Sequence, residues 1–151
     1  MEKNMLNTQT VVQIGILVHD IEKSAQVYAD FLGVDNPGWS WTGTLAEAET
    51  EFRGNPSEAR SKLAFFKIGE TLQLELIEPD HHPSTWREDL DANGEGVHHI
   101  AFNVKGMKEI TMKLEKNGIP LIQKGEYTGG RYAYFDSKEQ LKTVLELLEN
   151  D

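Results

Sequence analysis

Four polar side chains interrupt apolar, strand-like segments at two pairs of matching positions. Glu75 lies within LELIE (74–78), and Glu146 lies within the nearly identical LELLE (145–149). Gln13 and His99 begin two further apolar segments, QIGILV and HIAFNV. A buried carboxylate without a partner costs several kcal/mol, so its matched occurrence predicts a cation or a metal nearby.

Carboxylate, amide and imidazole groups form a ligand set of hard to borderline character. The chain has no cysteine, so any metal must be held by nitrogen and oxygen. The set suits an octahedral divalent ion (Zn, Co, Ni, Mn or Mg) with two positions left for water or substrate. Each residue alone is more typical of a structural or solvated position, but the four matching positions together favour a metal site.

An internal repeat explains why these positions match. QIGILVHDIEK, from residue 13, aligns with HIAFNVKGMKE, from residue 99, and both read as a strand followed by a helix. The first helix is predicted to begin after the N-cap Asp20 and to end at Gly33, and the second ends at Gly118. The residues two positions after Gln13 and His99, Gly15 and Ala101, are small, which leaves space on that face of each strand.

Each half of the chain reads as strand, helix, strand, strand, strand. In the first half the later strands are one within 44–53, KLAFFKI and TLQLELIE; in the second they are PLIQK, RYAYFD and TVLELLE. These patterns predict an α+β fold in which two tandem βαβββ modules form one curved mixed sheet around a central metal site. We expect a flexible N-terminal tail at 1–10 and one domain at 11–151, with modules at about 11–79 and 97–149.

Composition narrows the classes of partner. The net charge is −10 and the pI is about 4.9, which argues against nucleic acid or an anionic membrane as a partner. No apolar segment has the length of a membrane span, and the first residues lack the apolar core of a signal peptide, so we expect a cytoplasmic protein. Only four arginines are available to bind an anionic small molecule: Arg53, Arg60, Arg87 and Arg131.

From Val11 to Glu149 the sequence resembles the vicinal oxygen chelate superfamily. GVHHIAF (96–102), LELIEP (74–79), GGRYAYF (129–135) and VLELLE (144–149) are most similar to the methylmalonyl-CoA epimerase branch. The resemblance implies that the second histidine of the pair, His99, is a metal ligand together with Glu75 and Glu146. Epimerases of this kind usually have histidine where this chain has Gln13, whereas one class of glyoxalase I has glutamine there.

The resemblance implies a metal-dependent isomerase or epimerase that forms an enolate next to a metal-bound carbonyl of a small acyl-CoA or 2-oxo compound. One alternative is a glyoxalase I-type lactoylglutathione lyase acting on a thiol hemithioacetal. An alternative of another class is a drug-binding resistance protein without catalysis, although the four candidate ligands weigh against it. Because relatives of this fold are commonly dimers, we expect a homodimer whose site forms within one chain.

The chemistry needs a base close to the substrate. The resemblance implies that Glu146 serves as the base by leaving the metal, and that a glutamate on the second strand, Glu51, lies across the site from it. Glu49 and Glu58 are alternatives to Glu51, because the alignment has a gap nearby. Arg53 and Arg131 are candidates to bind a substrate carboxylate, although either is equally typical of an ordinary surface residue.

Overall fold

The computed structural model describes all 151 residues, and its ten strands form one mixed sheet. The strands are β1 (Gln13–Leu17), β2 (Ser40–Trp41), β3 (Glu51–Phe52), β4 (Asn55–Pro56), β5 (Ser61–Ile68), β6 (Leu72–Pro79), β7 (Gly96–Asn103), β8 (Leu121–Tyr127), β9 (Gly130–Phe135) and β10 (Val144–Asn150). The helices are α1 (Ile21–Leu32), α2 (Leu45–Ala48), α3 (Thr85–Asn93), α4 (Met107–Lys116) and α5 (Lys138–Leu141). The strand order is β2-β5-β6-β1-β7-β10-β9-β8-β3-β4.

The predicted strand–helix pairs are present in both halves. Asp20 caps α1 by accepting a hydrogen bond from the backbone N–H of Lys23, and the helix ends at Gly33, which has a left-handed backbone with φ of 70°. In the second half, β7 leads into α4. The sheet is curved, as the two repeated modules predict, and the predicted α+β class is confirmed.

The two repeats meet at the centre of the sheet. The first strands of the two halves, β1 and β7, are antiparallel neighbours. The last strand of each half lies parallel to its own first strand, β6 beside β1 and β10 beside β7. This arrangement places the four strands that carry the predicted metal ligands side by side.

One strand pairs with the other half of the chain from the one that the sequence predicts. A strand was predicted within 44–53 of the first half, and Glu51–Phe52 does form one, but it pairs with β8 of the second half. The strand beside β5 is instead Ser40–Trp41. The chain therefore crosses from one edge of the sheet to the other between 41 and 51, by way of α2 and a left-handed residue, Glu49, with φ of 50°.

Three apolar clusters hold the sheet in place. Helix α1 packs on one half of the sheet through Ile21, Ala25 and Ala29, and α4 packs on the other half through Met107, Ile110 and Leu114. The opposite face of the sheet, which we call the inner face, is covered at one end by α3. There Trp86 and Leu90 pack against Leu17, Ile77, Tyr134 and Val144.

The residues before β1 form neither helix nor strand. Met5 and Leu6 of this segment are partly buried against the cluster beneath α4. None of the five helices has the length and apolar character needed to cross a membrane.

Candidate metal centre

Four side chains converge on the inner face of the central strands. Gln13 lies on β1, Glu75 on β6, His99 on β7 and Glu146 on β10, and all four are buried. The Nε2 atom of His99 lies 2.9 Å from Gln13 Oε1, 2.8 Å from Glu146 Oε2 and 3.6 Å from Glu75 Oε1. The structure therefore brings together the four residues that the repeat placed at matching positions.

A glycine on the neighbouring strand makes room for the imidazole. Gly15 is paired with His99 across β1 and β7. A Cβ atom at Gly15 would lie 2.0 Å from His99 Cε1 and 2.4 Å from Nδ1, far inside van der Waals contact. The ring of His99 therefore lies directly on the backbone of β1, with Nε2 facing the carboxylates.

The spacing of the donor atoms fits a metal shell in part. Donors about 2.1 Å from an octahedral ion lie about 3.0 Å from their neighbours, close to the separations around His99 Nε2. Glu146 Oε2 is buried and its close polar partner is His99 Nε2, at 2.8 Å, so an ion held by both atoms would replace this contact. No group of three His, Asp or Glu side chains is spaced to hold an ion as it stands, so the side chains must rearrange to admit one.

The electrostatics of the cluster favour bound protons when no cation is present. Burial raises the pKa of Glu75 to about 8, with the positive charge of His99 opposing the shift and the negative charge of Glu146 adding to it. Burial acts to lower the pKa of His99, but the charges of Glu146 and Glu75 and a hydrogen bond to Glu146 outweigh it, so the pKa is raised. A divalent ion would supply the positive charge that these carboxylates lack.

A series of buried hydrogen bonds begins at the other side of the His99 ring, at Nδ1. His99 Nδ1 lies 2.9 Å from Nδ1 of His98, and His98 Nε2 lies 3.2 Å from Thr85 Oγ1. The Thr85 backbone N–H donates to Gln123 Oε1, and Gln123 Nε2 donates to the Tyr132 hydroxyl. His98, Thr85, Gln123 and Tyr132 could not be grouped from the sequence, because they lie on four different elements, β7, α3, β8 and β9.

The structure does not bring Glu51 to the cluster. Glu51 pairs with Lys124 in the β3–β8 ladder, and its carboxylate lies 3.1 Å from Lys124 Nζ. Both side chains line a groove of about 610 Å³ between α4 and strands β8 and β9, on the sheet face opposite the cluster. The adjacent Phe52, which is buried, takes the inner face instead.

The alternatives to Glu51 are also distant from the cluster. Glu49 lines the same groove as Glu51. Glu58 is exposed and lies 3.7 Å from the imidazole of His82. None of the three glutamates considered for the second acid is therefore placed beside Glu146.

The two predicted substrate arginines form ion pairs away from the cluster. Arg53 is exposed and lies 2.9 Å from Glu88. Arg131 lies on the outer face of β9, where its guanidinium pairs with Glu149 at 2.9 Å and with Asp151 at 2.6 Å. Tyr132 and Tyr134, on the same strand, pack on the inner face instead.

A lysine that the sequence analysis did not consider lies on the inner face. In the β5–β6 ladder Phe65 is paired with Glu75, and Lys67 is paired with Gln73. Paired residues project from the same face, so Phe65 and Lys67 lie on the face that carries the cluster. The strands contain four cationic residues, Lys62, Lys67, Lys124 and Arg131, and only Lys67 is on this face.

The sequence matches one family model and a bacterial relative. The family model described as glyoxalase/bleomycin resistance protein/dioxygenase superfamily matches residues 12–135. The uncharacterized protein YqjC of Bacillus subtilis (strain 168) is 29% identical over 139 residues, which are 90% of this chain and 89% of that protein.

Solved structures share the fold at low sequence identity. The hypothetical protein BH1468 from Bacillus halodurans C-125 has a TM-score of 0.67 at 23% identity, covering 94% of both chains. Methylmalonyl-CoA epimerase from Mycobacterium tuberculosis has a TM-score of 0.61 at 20% identity, covering 100% of this chain and 93% of its own. A Streptomyces coelicolor methylmalonyl-CoA epimerase variant in complex with 2-nitronate-propionyl-CoA has a TM-score of 0.63 at 21% identity, covering 93% and 96%.

Proposed function

Because the chain belongs to the glyoxalase/bleomycin resistance protein/dioxygenase superfamily, we propose that it is a metal-dependent epimerase or isomerase that acts next to a carbonyl group. Gln13, Glu75, His99 and Glu146 would hold a divalent ion. The observation that carries the proposal is the convergence of these four buried side chains on His99 Nε2 within 3.6 Å. Two carboxylates at such a site are difficult to explain without a cation.

The bound ion would supply a Lewis acid that polarises the carbonyl oxygen of the substrate and makes the adjacent C–H more acidic. Glu146 is the base in this proposal. Its Oε2 atom is buried and contacts His99 Nε2 at 2.8 Å, and a metal that took up the His99 lone pair would leave this carboxylate oxygen to accept the proton from carbon. A proton delivered to the opposite side of the same carbon, by a donor other than Glu146, would give the epimer.

Two tyrosines next to the cluster support binding of a polar substrate. Burial raises the pKa of Tyr132 and of Tyr134, so both stay neutral and keep their hydroxyl hydrogens. Each hydroxyl oxygen already accepts a hydrogen bond, Tyr132 from Gln123 and Tyr134 from Trp86. Each neutral hydroxyl can therefore also donate a hydrogen bond, to a protein group or to an oxygen atom of a substrate that reaches it.

The substrate class is a small acyl-CoA that carries a further anionic group. Structural neighbours include an epimerase in complex with methylmalonyl-CoA, which supports testing this compound first. Lys67 is the residue we assign to the anionic group, because its side chain projects from the same sheet face as Glu75 and the cluster. Arg53 and Arg131 stay less favoured candidates, since carboxylates already neutralise both.

A glyoxalase I-type reaction on a thiol hemithioacetal is the second candidate. It is favoured by Gln13, whose Oε1 atom lies 2.9 Å from His99 Nε2 and so takes a place in the ligand set. The two reactions share proton removal next to a carbonyl and differ in the carbon that receives the proton.

The proposal also covers assembly and location. A homodimer is supported by exposed apolar side chains on and just after α1, namely Val27, Phe31 and Val34, and a size-exclusion measurement with light scattering tests it. We also propose a cytoplasmic location. A small-molecule partner is supported by the net charge of −10, which disfavours nucleic acid and anionic membrane surfaces.

Solvent deuterium wash-in at C2 of methylmalonyl-CoA, followed by NMR, tests the proposal with metal-stripped protein and with cobalt-reloaded protein. We expect exchange only after reloading, and its loss in Glu146→Gln. If the reloaded protein binds cobalt but gives no exchange above buffer, the acyl-CoA assignment is wrong, and the hemithioacetal of methylglyoxal becomes the substrate to test. If the protein binds no metal, the enzymatic proposal fails and a binding protein without catalysis takes its place.

A further inference from the structure

His98 is a fully buried histidine next to the candidate ligand, and the proposed chemistry does not use it. Neighbours on a regular strand project to opposite faces, but His98 and His99 touch, with Nδ1 atoms 2.9 Å apart. The β1–β7 ladder is irregular here, since Gly15 pairs with His99 while Ile16 pairs with Val97. His98 is therefore the extra residue of a bulge, which turns its ring toward His99.

The contact between the two rings restricts the positions of their protons. A neutral imidazole has one N–H donor and one acceptor nitrogen. Of the two Nδ1 atoms in contact, one must carry the hydrogen and the other must accept it. The far nitrogen of His98, Nε2, faces Thr85 Oγ1 at 3.2 Å, and the far nitrogen of His99 faces the carboxylates. The choice made between the rings therefore decides whether His99 Nε2 carries a proton.

We infer that His98 is a positioning residue that holds His99 in the tautomer able to bind a metal. A metal requires the lone pair of His99 Nε2, so the His99 proton must lie on Nδ1 and be donated to Nδ1 of His98. His98 then carries its own proton on Nε2 and donates it to Thr85 Oγ1. This inference rests on the proposed metal site.

If the hydrogen bonds from Thr85 through His98 to His99 ran in the opposite direction, His99 could not bind a metal. If the Thr85 hydroxyl donated to His98 Nε2, then His98 would donate from Nδ1, and His99 would be left with its proton on Nε2.

Helix α3 holds Thr85, the last residue in this series of hydrogen bonds, in place. Thr85 is the first residue of α3, after the cap residue Ser84, and its backbone N–H is held by Gln123 of β8. The ring of His98 also packs edge to face on Tyr134, with centroids 5.1 Å apart. The helix between the two repeats thus orients a ligand of the candidate metal centre through His98.

The direct test is the tautomer of each histidine in the zinc-loaded protein. Long-range ¹H–¹⁵N correlation spectra of uniformly ¹⁵N-labelled protein distinguish a proton on Nδ1 from one on Nε2. We expect His99 to carry its proton on Nδ1 and His98 to carry its proton on Nε2. A proton on Nδ1 of His98 in the zinc-loaded protein would overturn the inference.

Variants give a second readout through zinc affinity measured by competition with a chelating dye. Loss of an outer hydrogen-bond partner lowers metal affinity about 10- to 100-fold, and we expect a loss of this size for His98→Leu. His98→Asn keeps an acceptor oxygen at the place of Nδ1, so we expect it to recover most of the affinity. Thr85→Val should weaken zinc binding, while its matched control Thr85→Ser keeps the hydroxyl and should not.

The outcomes separate the inference from the function on which it rests. Wild-type binding of one zinc, lost in Glu146→Gln, supports the metal site. If His98→Leu, folded by circular dichroism, then binds zinc as tightly as wild type, the positioning role is wrong and the metal site stands. If His98→Leu does not fold, the zinc affinities of His98→Asn and of the two Thr85 variants test the inference instead. An equal loss of zinc affinity in Thr85→Val and Thr85→Ser would overturn it. If wild type binds no zinc, both the proposed function and this inference are wrong.

Discussion

The imidazole of His99 fills the space that a side chain on Gly15 would occupy. A Cβ atom on Gly15 would lie 2.0 Å from His99 Cε1 and 2.6 Å from Nε2. The backbone of Gly15 is not in the left-handed region, so no conformational demand requires glycine there. The position requires glycine because the candidate ligand needs to lie against the backbone of β1.

Gly15→Ala therefore tests the geometry of the site. The methyl group must displace the His99 ring, and we expect at least a 10-fold loss of zinc affinity and destabilisation of about 1–3 kcal/mol, the usual cost of overpacking. Isothermal titration with zinc and urea unfolding measure the two effects.

Gly33→Ala is the matched control for Gly15→Ala. Its Cβ would meet no atom within 4 Å, but its φ of 70° strains any residue with a side chain. It should therefore lose about 1–2 kcal/mol without losing zinc. Equal zinc affinity in Gly15→Ala and wild type would show that His99 does not bind the ion in the position described.

The roles of two glutamates can be separated by one pair of substitutions. Glu146 lies 2.8 Å from His99 Nε2, whereas Glu51 lies on the other face of the sheet beside Lys124. We expect Glu146→Gln to lower deuterium exchange into the substrate at least 100-fold, since general base catalysis contributes about 10²- to 10⁴-fold. Glu51→Gln should change the rate less than threefold. A large loss in Glu51→Gln would restore the second acid that the family resemblance implies.

The four converging residues could be predicted from sequence because repetition and strand alternation together determine them. The repeat makes Gln13 equivalent to His99 and Glu75 equivalent to Glu146, and alternation decides which face each side chain takes. Antiparallel pairing of β1 with β7 then brings both pairs to one place. No long-range information beyond the repeat is needed for this step.

Features that break the repeat could not be predicted in the same way. The crossing of Glu51–Phe52 to β8 has no counterpart in the second half, and it places Glu51 beside Lys124 on the face opposite the cluster. The contact of His98 with His99 depends on a bulge, which strand alternation cannot anticipate. Lys67 was missed for another reason: arginine was favoured as an anion ligand, and the register of β5 was unknown.

Lys67→Met tests the assignment of the anionic group. Methionine keeps the length and apolar character of the side chain but removes the charge. We expect KM for methylmalonyl-CoA to rise about 10-fold with kcat nearly unchanged, because an ion pair made equally in the ground state and the transition state is uniform binding. Lys124→Met, on the other sheet face, is the matched control. Similar KM values for both variants would show that Lys67 does not contact the substrate.

The buried carboxylate of Glu75 predicts how the stability of the metal-free protein depends on pH. Its pKa is about 8 in the folded protein, against an ordinary value of 4.5, mainly because of burial. Between these values the folded chain keeps a proton that the unfolded chain releases, so the free energy of unfolding should fall as the pH rises from about 5 to 8. The raised pKa of His99 acts in the same direction.

Glu75→Gln removes the group that binds this proton, so the pH dependence of stability that it causes should be lost. In the metal-free protein we expect the variant to have the higher Tm at pH 8 and to match wild type near pH 4.5, because only the wild-type carboxyl must take up a proton to be buried at pH 8. With zinc present at pH 8, wild type should have the higher Tm. Zinc stabilises the protein that binds it more tightly, and the amide introduced by Glu75→Gln is a poorer ligand than the carboxylate of Glu75. Thermal melts at both pH values, with and without zinc, measure this, and Glu70→Gln in the exposed turn after β5 is the control. A wild-type Tm that rises from pH 5 to 8 without metal would contradict a protonated Glu75.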